Sequence, residues 1–281
     1  MARSKNAVVI PIYQSKLSAS ELFSIKNAVD ILSAHDICFV GPVHLRVFLA
    51  QLVGQFTAPL HTHADSHIGY KNFADRYFSS IAGYNKLMLS SLFYEAFKDY
   101  QCILIAQTDS LVLTDALDMW AAKGYSYIGA PWFEGYTQPT QPLRLLNVGN
   151  GGFSLRNIGD FLKVLHKPRV FKNTLMSSWP GSWMSSTYRY LKDYHSVVYK
   201  NRQFNINVNE DLFWGLFVAP RCPFFTVPSA TEAMAFAFES HPEHLFALNQ
   251  NKLPFGCHAW ERYNPEFWEA VLAQRGIEKI R

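Results

Sequence analysis

Four short segments of the sequence carry residue types that can do chemistry. In ILIAQTDSLVL, Asp109 stands between the apolar runs Cys102–Ala106 and Leu111–Leu113. A carboxylate in such surroundings is unfavourable unless it is hydrogen-bonded, paired or bound to a metal. It is either a turn acid capping nearby amides or an acid aimed at a ligand. The second segment, VGNGGFSLR, has glycine at 149, 151 and 152. That density lets the backbone take positive φ and approach a ligand closely, or simply makes a tight turn before a helix. Its spacing fits neither a dinucleotide fingerprint nor a P-loop. The third, Asn209-Glu210-Asp211, precedes LFWGLF. Acids there either cap a helix N-terminus or stand ready to take a proton from a hydroxyl. The fourth is PFGCHAW, where His258 sits among apolar and aromatic residues. A lone histidine in that setting is a core residue or a ligand. A further cluster, HTHADSH, puts His61, His63 and His67 on one face of a strand, a zinc-like spacing that no matching Cys/Asp/Glu set completes.

The elements that must position these groups follow from periodicity. Ala7 to Ile12 reads as a buried strand. Ser18 to Ser33 reads as a helix, with Ser18 or Ser20 as N-cap and Leu22, Ile25, Ala28, Val29 and Leu32 at helical spacing. Ile37 to Val40 is a second strand, stopped by Gly41-Pro42. This β-α-β order favours a parallel sheet. Further helices are expected over Val43–Phe56, Ser80–Tyr100, Thr114–Lys123 (capped by Thr114) and near Gly159–Leu165. HTHADSHIGY reads as irregular. Cys102–Ala106, Tyr125–Ile128 and Cys222–Val227 read as strands, and Glu134–Leu146 as a mobile loop. The glycine segment leads towards the helix near Gly159. Ligands of open α/β sheets bind beyond the carboxyl ends of the strands, where Asp109 falls.

Composition narrows the class. The chain has 281 residues, 49% hydrophobic and 17% charged, which argues against disorder. Aromatics reach 15%, an excess that either fills a large core or serves flat sugar rings. The formal net charge of +4 is spread without a basic stripe, so nucleic acid is not an expected partner. A diphosphate, or peripheral contact with an anionic membrane surface, needs far less positive charge. Cys38, Cys102, Cys222 and Cys257 form no C-x-x-C and read as free thiols of a reducing compartment. With no leader-like or membrane-length apolar run at the start, the expected location is cytoplasmic.

IAQTDSLVL resembles the D-x-D region of GT-A glycosyltransferases. YNKLMLSSLFYEAFKDYQCILIAQTDSLVL resembles the lysine-bearing helix and strand that lead into it. YIGAPW followed by GNGGFSLR resembles an uncharacterised family of glycosyltransferase-like domains. The resemblance implies a GT-A-like single α/β domain over 1–281, with a Rossmann-like, mostly parallel central sheet flanked by helices and a small accessory antiparallel sheet. Its nucleotide-binding half would run to about residue 115 and its sugar- and acceptor-binding half beyond. It implies a metal, Mn²⁺ or Mg²⁺, held by Asp109 and His258. Gln107 stands where the first acid of the family's pair would be. Pro11, Tyr13, Lys86, Gln107, Thr108, Asp109, Asn150, Gly151 and Gly152 are the implied donor-binding set. Asp211 is the implied base, and Glu210 implied support for the acceptor or for local geometry.

The function expected from this resemblance is transfer of a hexose-type sugar from a nucleotide diphosphate, with UDP the expected nucleotide, to a glycan or lipid-linked glycan hydroxyl, with inversion; in the retaining alternative Glu210 and Asp211 would only bind sugar. Two rivals are a nucleotidyltransferase on a similar sheet and a non-catalytic carbohydrate-binding module. The first wants a glycine-rich basic loop after the first strand, and PIYQSKLSAS has only Lys16 and no glycine.

Overall fold

The computed structural model describes residues 5–57, 67–135, 138–166 and 209–277. His61 and His63 lie outside these residues, and His67 is an exposed residue at their edge. A six-stranded sheet, in the order β3-β2-β1-β4-β9-β6, organises the fold. Its strands are β1 (Asn6–Pro11), β2 (Asp36–Pro42), β3 (Ile68–Phe73), β4 (Cys102–Ala106), β6 (Tyr127–Ile128) and β9 (Phe153–Asn157). Strands β3, β2, β1 and β4 are mutually parallel. Strand β9 runs antiparallel to both β4 and β6.

Both faces of the sheet are covered, as its apolar strands require. Alternation along β1 sends Val8 and Ile10 to one face and Ala7 and Val9 to the other. The first face packs α1 (Ala19–Ile31), α2 (Arg46–Thr57) and α5 (Leu117–Ala122). The second packs α3 (Ile81–Met88), α4 (Ser91–Glu95) and α6 (Ile158–His166). Helix α1 starts on a complete capping box. Ser18 Oγ accepts from the Glu21 amide at 3.1 Å, and Glu21 accepts from the Ser18 amide at 2.8 Å.

Two small sheets complete the fold. One, in the order β10-β11-β5, joins β10 (Ala237–Phe238), β11 (Gly256–Cys257) and β5 (Leu111–Val112). It is mixed: β10 and β11 are parallel, β11 and β5 antiparallel. The other is an antiparallel pair, β7 (Pro131–Phe133) and β8 (Leu145–Val148).

Several local expectations need correction. The helix expected over Ser80–Tyr100 is broken, because Ser90 adopts an extended conformation and caps a new helix through the Leu92 amide at 3.2 Å. Thr114 is not a cap; α5 begins three residues later behind Ala116, with Asp115 accepting from the Leu117 amide at 3.4 Å. The segment Cys222–Val227 forms no strand, although the Thr226 carbonyl accepts from the amides of Ser126 and Tyr127. HTHADSHIGY is not irregular to its end, since β3 starts at Ile68. The loop expected over Glu134–Leu146 connects β7 and β8, with Glu134 N donating to Arg144 O at 2.9 Å. The glycine segment leads into α6 (Ile158–His166) as expected, its last four residues, Phe153–Arg156, lying in β9. Among the described residues, no helix is long and apolar enough to cross a membrane.

Candidate active site

Strand β9 brings two of the four segments together, and β11 returns a third to them. The β9 register pairs Phe153 with Ala106, so the glycine turn emerges at the carboxyl end of β4, beside Gln107. The Gln107 amide donates to the Gly152 carbonyl at 2.8 Å and fastens the two turns together. The segment after β11 returns to the same place. His258 N donates to Phe238 O at 3.0 Å, and Trp260 N donates to Asp109 O at 3.3 Å.

A cavity of about 950 Å³ opens there. Tyr13, Tyr84 and Gln107 line one part, the turn Asn150–Gly152 and Asn209–Asp211 another, and Glu239, His258, Arg262 and Tyr263 a third. Tyr13 packs edge-on against both Phe78 and Tyr84, with ring centres 6.0 and 5.4 Å apart. Tyr13 Oη accepts from Gln107 Nε2 at 3.2 Å.

His258 is the hub of one side. Its Nε2 lies 3.2 Å from Asp109 Oδ1 and 3.2 Å from Gln107 Oε1, and its Nδ1 lies 3.1 Å from Glu239 Oε1. Burial opposes a charge on the ring, but the bonds to Asp109 and Glu239 outweigh it and push the pKa up to about 10. Asp109 shifts the other way. Burial raises its pKa, yet the His258 bond and charge prevail and hold the carboxyl below its ordinary range. Asp109 is not in the cavity lining; its side chain is 46% exposed beside it, and His258 connects it to the space.

The other side is built on Asp211. Its Oδ2 accepts from the Gly151 amide at 3.3 Å, and its Oδ1 from the Leu212 amide at 2.7 Å. Burial first, and then the neighbouring Glu210 carboxylate, raise its pKa to about 7. Glu210 is itself clamped by the buried Arg156, through Oε1 to Nη2 at 2.7 Å and Oε2 to Nη1 at 3.0 Å. Neither acid is a side-chain helix cap: Glu210 N donates to Asn85 Oδ1 at 3.2 Å, and the Asn209 side chain takes no cap bond.

The glycines are needed for space, not for positive φ. None of Gly149, Gly151 and Gly152 has φ in the left-handed region. A Cβ on Gly151 would collide with the Glu210 carboxylate, and one on Gly152 with the His258 ring. The turn is therefore the floor on which both charged groups rest. Asn150 Oδ1 accepts from the Gly152 amide at 3.0 Å and shapes the turn from within.

Of the residues singled out in the sequence, Tyr13, Gln107, Asn150, Gly151, Gly152, Glu210, Asp211 and His258 line one cavity. Three do not. Lys86 is exposed on α3, outside the lining, because the buried face of that helix belongs to Tyr84, Leu87 and Met88. Pro11 is buried in β1, in register with Val40. Thr108 turns away and donates to Glu21 Oε1 at 3.2 Å. The sequence reading missed Glu239, Arg156, Asn85 and Arg262. The S-L-R ending of the glycine segment was the available signal for Arg156; the others lie on segments without a motif.

Residues 67–258 match the family described as "Protein of unknown function (DUF5672)". The chain belongs to this family. No curated protein matches the chain in sequence. Among solved structures, the DUF5672 chain is similar to the glycosyltransferase GlyE of Streptococcus pneumoniae TIGR4, at 9% identity and a TM-score of 0.49 over 99% of this chain and 65% of that one. The chain thus spans less than two thirds of the length of GlyE. The galactosyltransferase LgtC, solved with donor and acceptor sugar analogs, gives 13% identity and a TM-score of 0.47 over 95% of each chain. The mannosyltransferase Ktr4p of S. cerevisiae, solved with GDP, gives 8% and 0.37 over 59% of this chain and 62% of that one.

Proposed function

We propose that this DUF5672 protein is a glycosyltransferase that moves a hexose-type sugar from a nucleotide diphosphate, a UDP-sugar, to a glycan or lipid-linked glycan hydroxyl. The observation that carries the reading is the floor Asn150–Gly152. On it an Asp109–His258–Gln107 cluster and a raised-pKa carboxyl, Asp211, flank one polar and aromatic cavity. A general base needs a pKa near the working pH and a position inside the substrate space, and Asp211 has both. In an inverting transfer its carboxylate takes the proton of the acceptor hydroxyl. The acceptor oxygen bonds to the anomeric carbon, and the bond from that carbon to the nucleoside diphosphate breaks.

Among the described residues there is no group of three or more His, Cys, Asp and Glu side chains that could hold a metal by themselves. The set Asp109 Oδ1, His258 Nε2 and Gln107 Oε1 nevertheless fits a divalent cation whose other ligands come from the donor diphosphate. Nitrogen and oxygen donors of this hardness suit Mn²⁺ or Mg²⁺, and the Glu239 bond to Nδ1 orients the ring as outer partners of metal-bound histidines do. When bound, such a cation supplies Lewis-acid stabilisation of charge on the departing diphosphate. Loading requires His258 to give up its Nε2 proton. Tyr13, with Phe78 and Tyr84, offers aromatic faces for the base or sugar. In this reading the nucleotide-binding half is the part up to about residue 115 and the remainder handles sugar and acceptor.

A thermal-shift screen tests the proposal. UDP with Mn²⁺ raises the melting temperature by mass action, and metal or glycan alone does not. Stabilisation by free glycans with no response to any nucleotide diphosphate plus metal would replace the transferase reading with a carbohydrate-binding one.

A further inference from the structure

Arg156 lies 0% exposed in the midst of the aromatic core, within 6 Å of the Tyr127 and Phe161 ring centres. Strand alternation puts it there: Phe153 and Leu155 face one side of β9, Ser154 and Arg156 the other. A buried guanidinium is tolerated only when its donors are used, and here they are. Nε donates to Ser154 Oγ at 3.1 Å, Nη1 to Tyr94 Oη at 2.9 Å and to Glu210 Oε2 at 3.0 Å, and Nη2 to Glu210 Oε1 at 2.7 Å and to the Gly151 carbonyl at 3.3 Å. The Gly151 carbonyl also accepts from Ser154 Oγ at 2.9 Å, and Tyr127 Oη holds the Gly149 carbonyl at 2.7 Å. One peptide unit further, the Gly151 amide holds Asp211.

We propose that Arg156 is a positioning residue for the proposed transfer: by clamping Glu210 and the Gly151 carbonyl together, it fixes the glycine floor and the Asp211 carboxyl in one geometry. The inference rests on the transferase reading and names a residue which that reading does not require. Replacing a buried ion pair by apolar residues of similar size is often neutral or stabilising for a fold, so stability alone does not explain this pair. Its place between the floor and the acid does. Several charged groups face Asp211. Glu210 faces it from its own segment, Glu239 from the segment after β10 and Tyr127 from β6, while Arg156 on β9 balances Glu210. His241, Glu243, His258 and Arg262 share the cavity.

The test replaces the pair together, Arg156→Met with Glu210→Leu, beside Arg156→Lys alone. Three quantities are read: melting temperature, UDP release from a UDP-hexose as kcat and KM, and the titration of the Asp211 carboxyl by carboxyl-carbon NMR, assigned with Asp211→Asn. The double variant is expected to keep its melting temperature and KM while kcat falls on the order of 10²-fold, the scale of a small misplacement. Its Asp211 titration moves from about 7 towards the ordinary carboxylate value. Arg156→Lys keeps the charge but not the fork, and loses kcat to a smaller degree with KM unchanged. If the double variant unfolds, Arg156→Lys decides by the same kcat and NMR readings. A folded variant with unchanged kcat and unchanged Asp211 titration overturns the proposal. Should Asp211→Asn in the otherwise native chain remain fully active, the base assignment fails on its own, and the Asp211 titration in Arg156→Lys, where Glu210 is retained, still decides whether Arg156 governs the Asp211 site.

Discussion

Two ion pairs meet the glycine turn, one beside Gly151 and one beside Gly152, and they stand in different solvents. Arg156 and Glu210 are 0% and 5% exposed, in a bidentate fork with every donor engaged. His258 and Asp109 are 14% and 46% exposed, joined by a single contact. In a dry setting a charge that loses its partner has no water to replace it, so the first pair cannot exchange partners. In the wetter setting the proposed function has the Nε2 proton of His258 give way to a cation. The molecule thus places its fixed charges under the floor and its exchangeable charges at the edge of the cavity. Asp211 lies between these regimes, bonded to two amides yet lining the cavity.

The largest expected effect falls on that intermediate residue. Asp211→Asn lowers kcat by about 10²–10⁴-fold, the usual contribution of a general base, and leaves donor binding intact. Because burial and Glu210 hold the native pKa at about 7, the native rate climbs with pH through about 7, as the carboxylate form appears. A pH–rate profile flat from pH 5 to 8 would remove Asp211 from the base role. The same shift has a stability sign. A raised carboxyl pKa favours the protonated fold, so its contribution is full below the ordinary value near 4 and is lost as pH rises through about 7.

Next in size is the buried pair. Arg156→Met alone leaves Glu210 buried and unpaired, and is expected to lower folding stability by about 3–5 kcal/mol in denaturant titration. A loss below about 1 kcal/mol, the value of exposed pairs, would erase the contrast between the two sites. At the exchangeable pair, Asp109→Ala is expected to abolish the metal-dependent thermal shift. In the native chain that shift corresponds to about 2.7 kcal/mol at a ligand concentration one hundred times Kd. An equal shift in the variant would show that the cation is held elsewhere. The smallest effect calibrates the scale. Lys123 and Glu232 are 2.7 Å apart and about one-third exposed, so Lys123→Ala costs about 0.2–1 kcal/mol on melting.

The aromatic excess shows how one composition serves two purposes. Trp214, Trp260, Trp268, Tyr94, Phe153 and Phe161 are fully buried core. Tyr13, Phe78, Tyr84, Trp132, Phe133 and Tyr263 line the cavity. Composition alone left both uses open, because a ring presents the same apolar area to a core as to a ligand.

The sequence by itself determined the β-α-β entry, a serine N-cap at Ser18 or Ser20, the buried strand before Gln107 and the existence of the four polar segments. Each of these depends on contacts within a few residues or on short-range periodicity. It did not reveal that β9 runs antiparallel between β4 and β6, because a five-residue strand after a glycine turn has no local mark of its direction. Tertiary structure alone decided that Lys86, Pro11 and Thr108 turn away from the cavity while Glu239 and Arg156 join its supports. It also decided why the turn must be glycine. Sequence suggested backbone freedom, whereas the fold brings the Glu210 carboxylate and the His258 ring against Gly151 and Gly152, where no side chain fits. Those partners are 59 and 106 residues away along the chain, and only packing sets such distances.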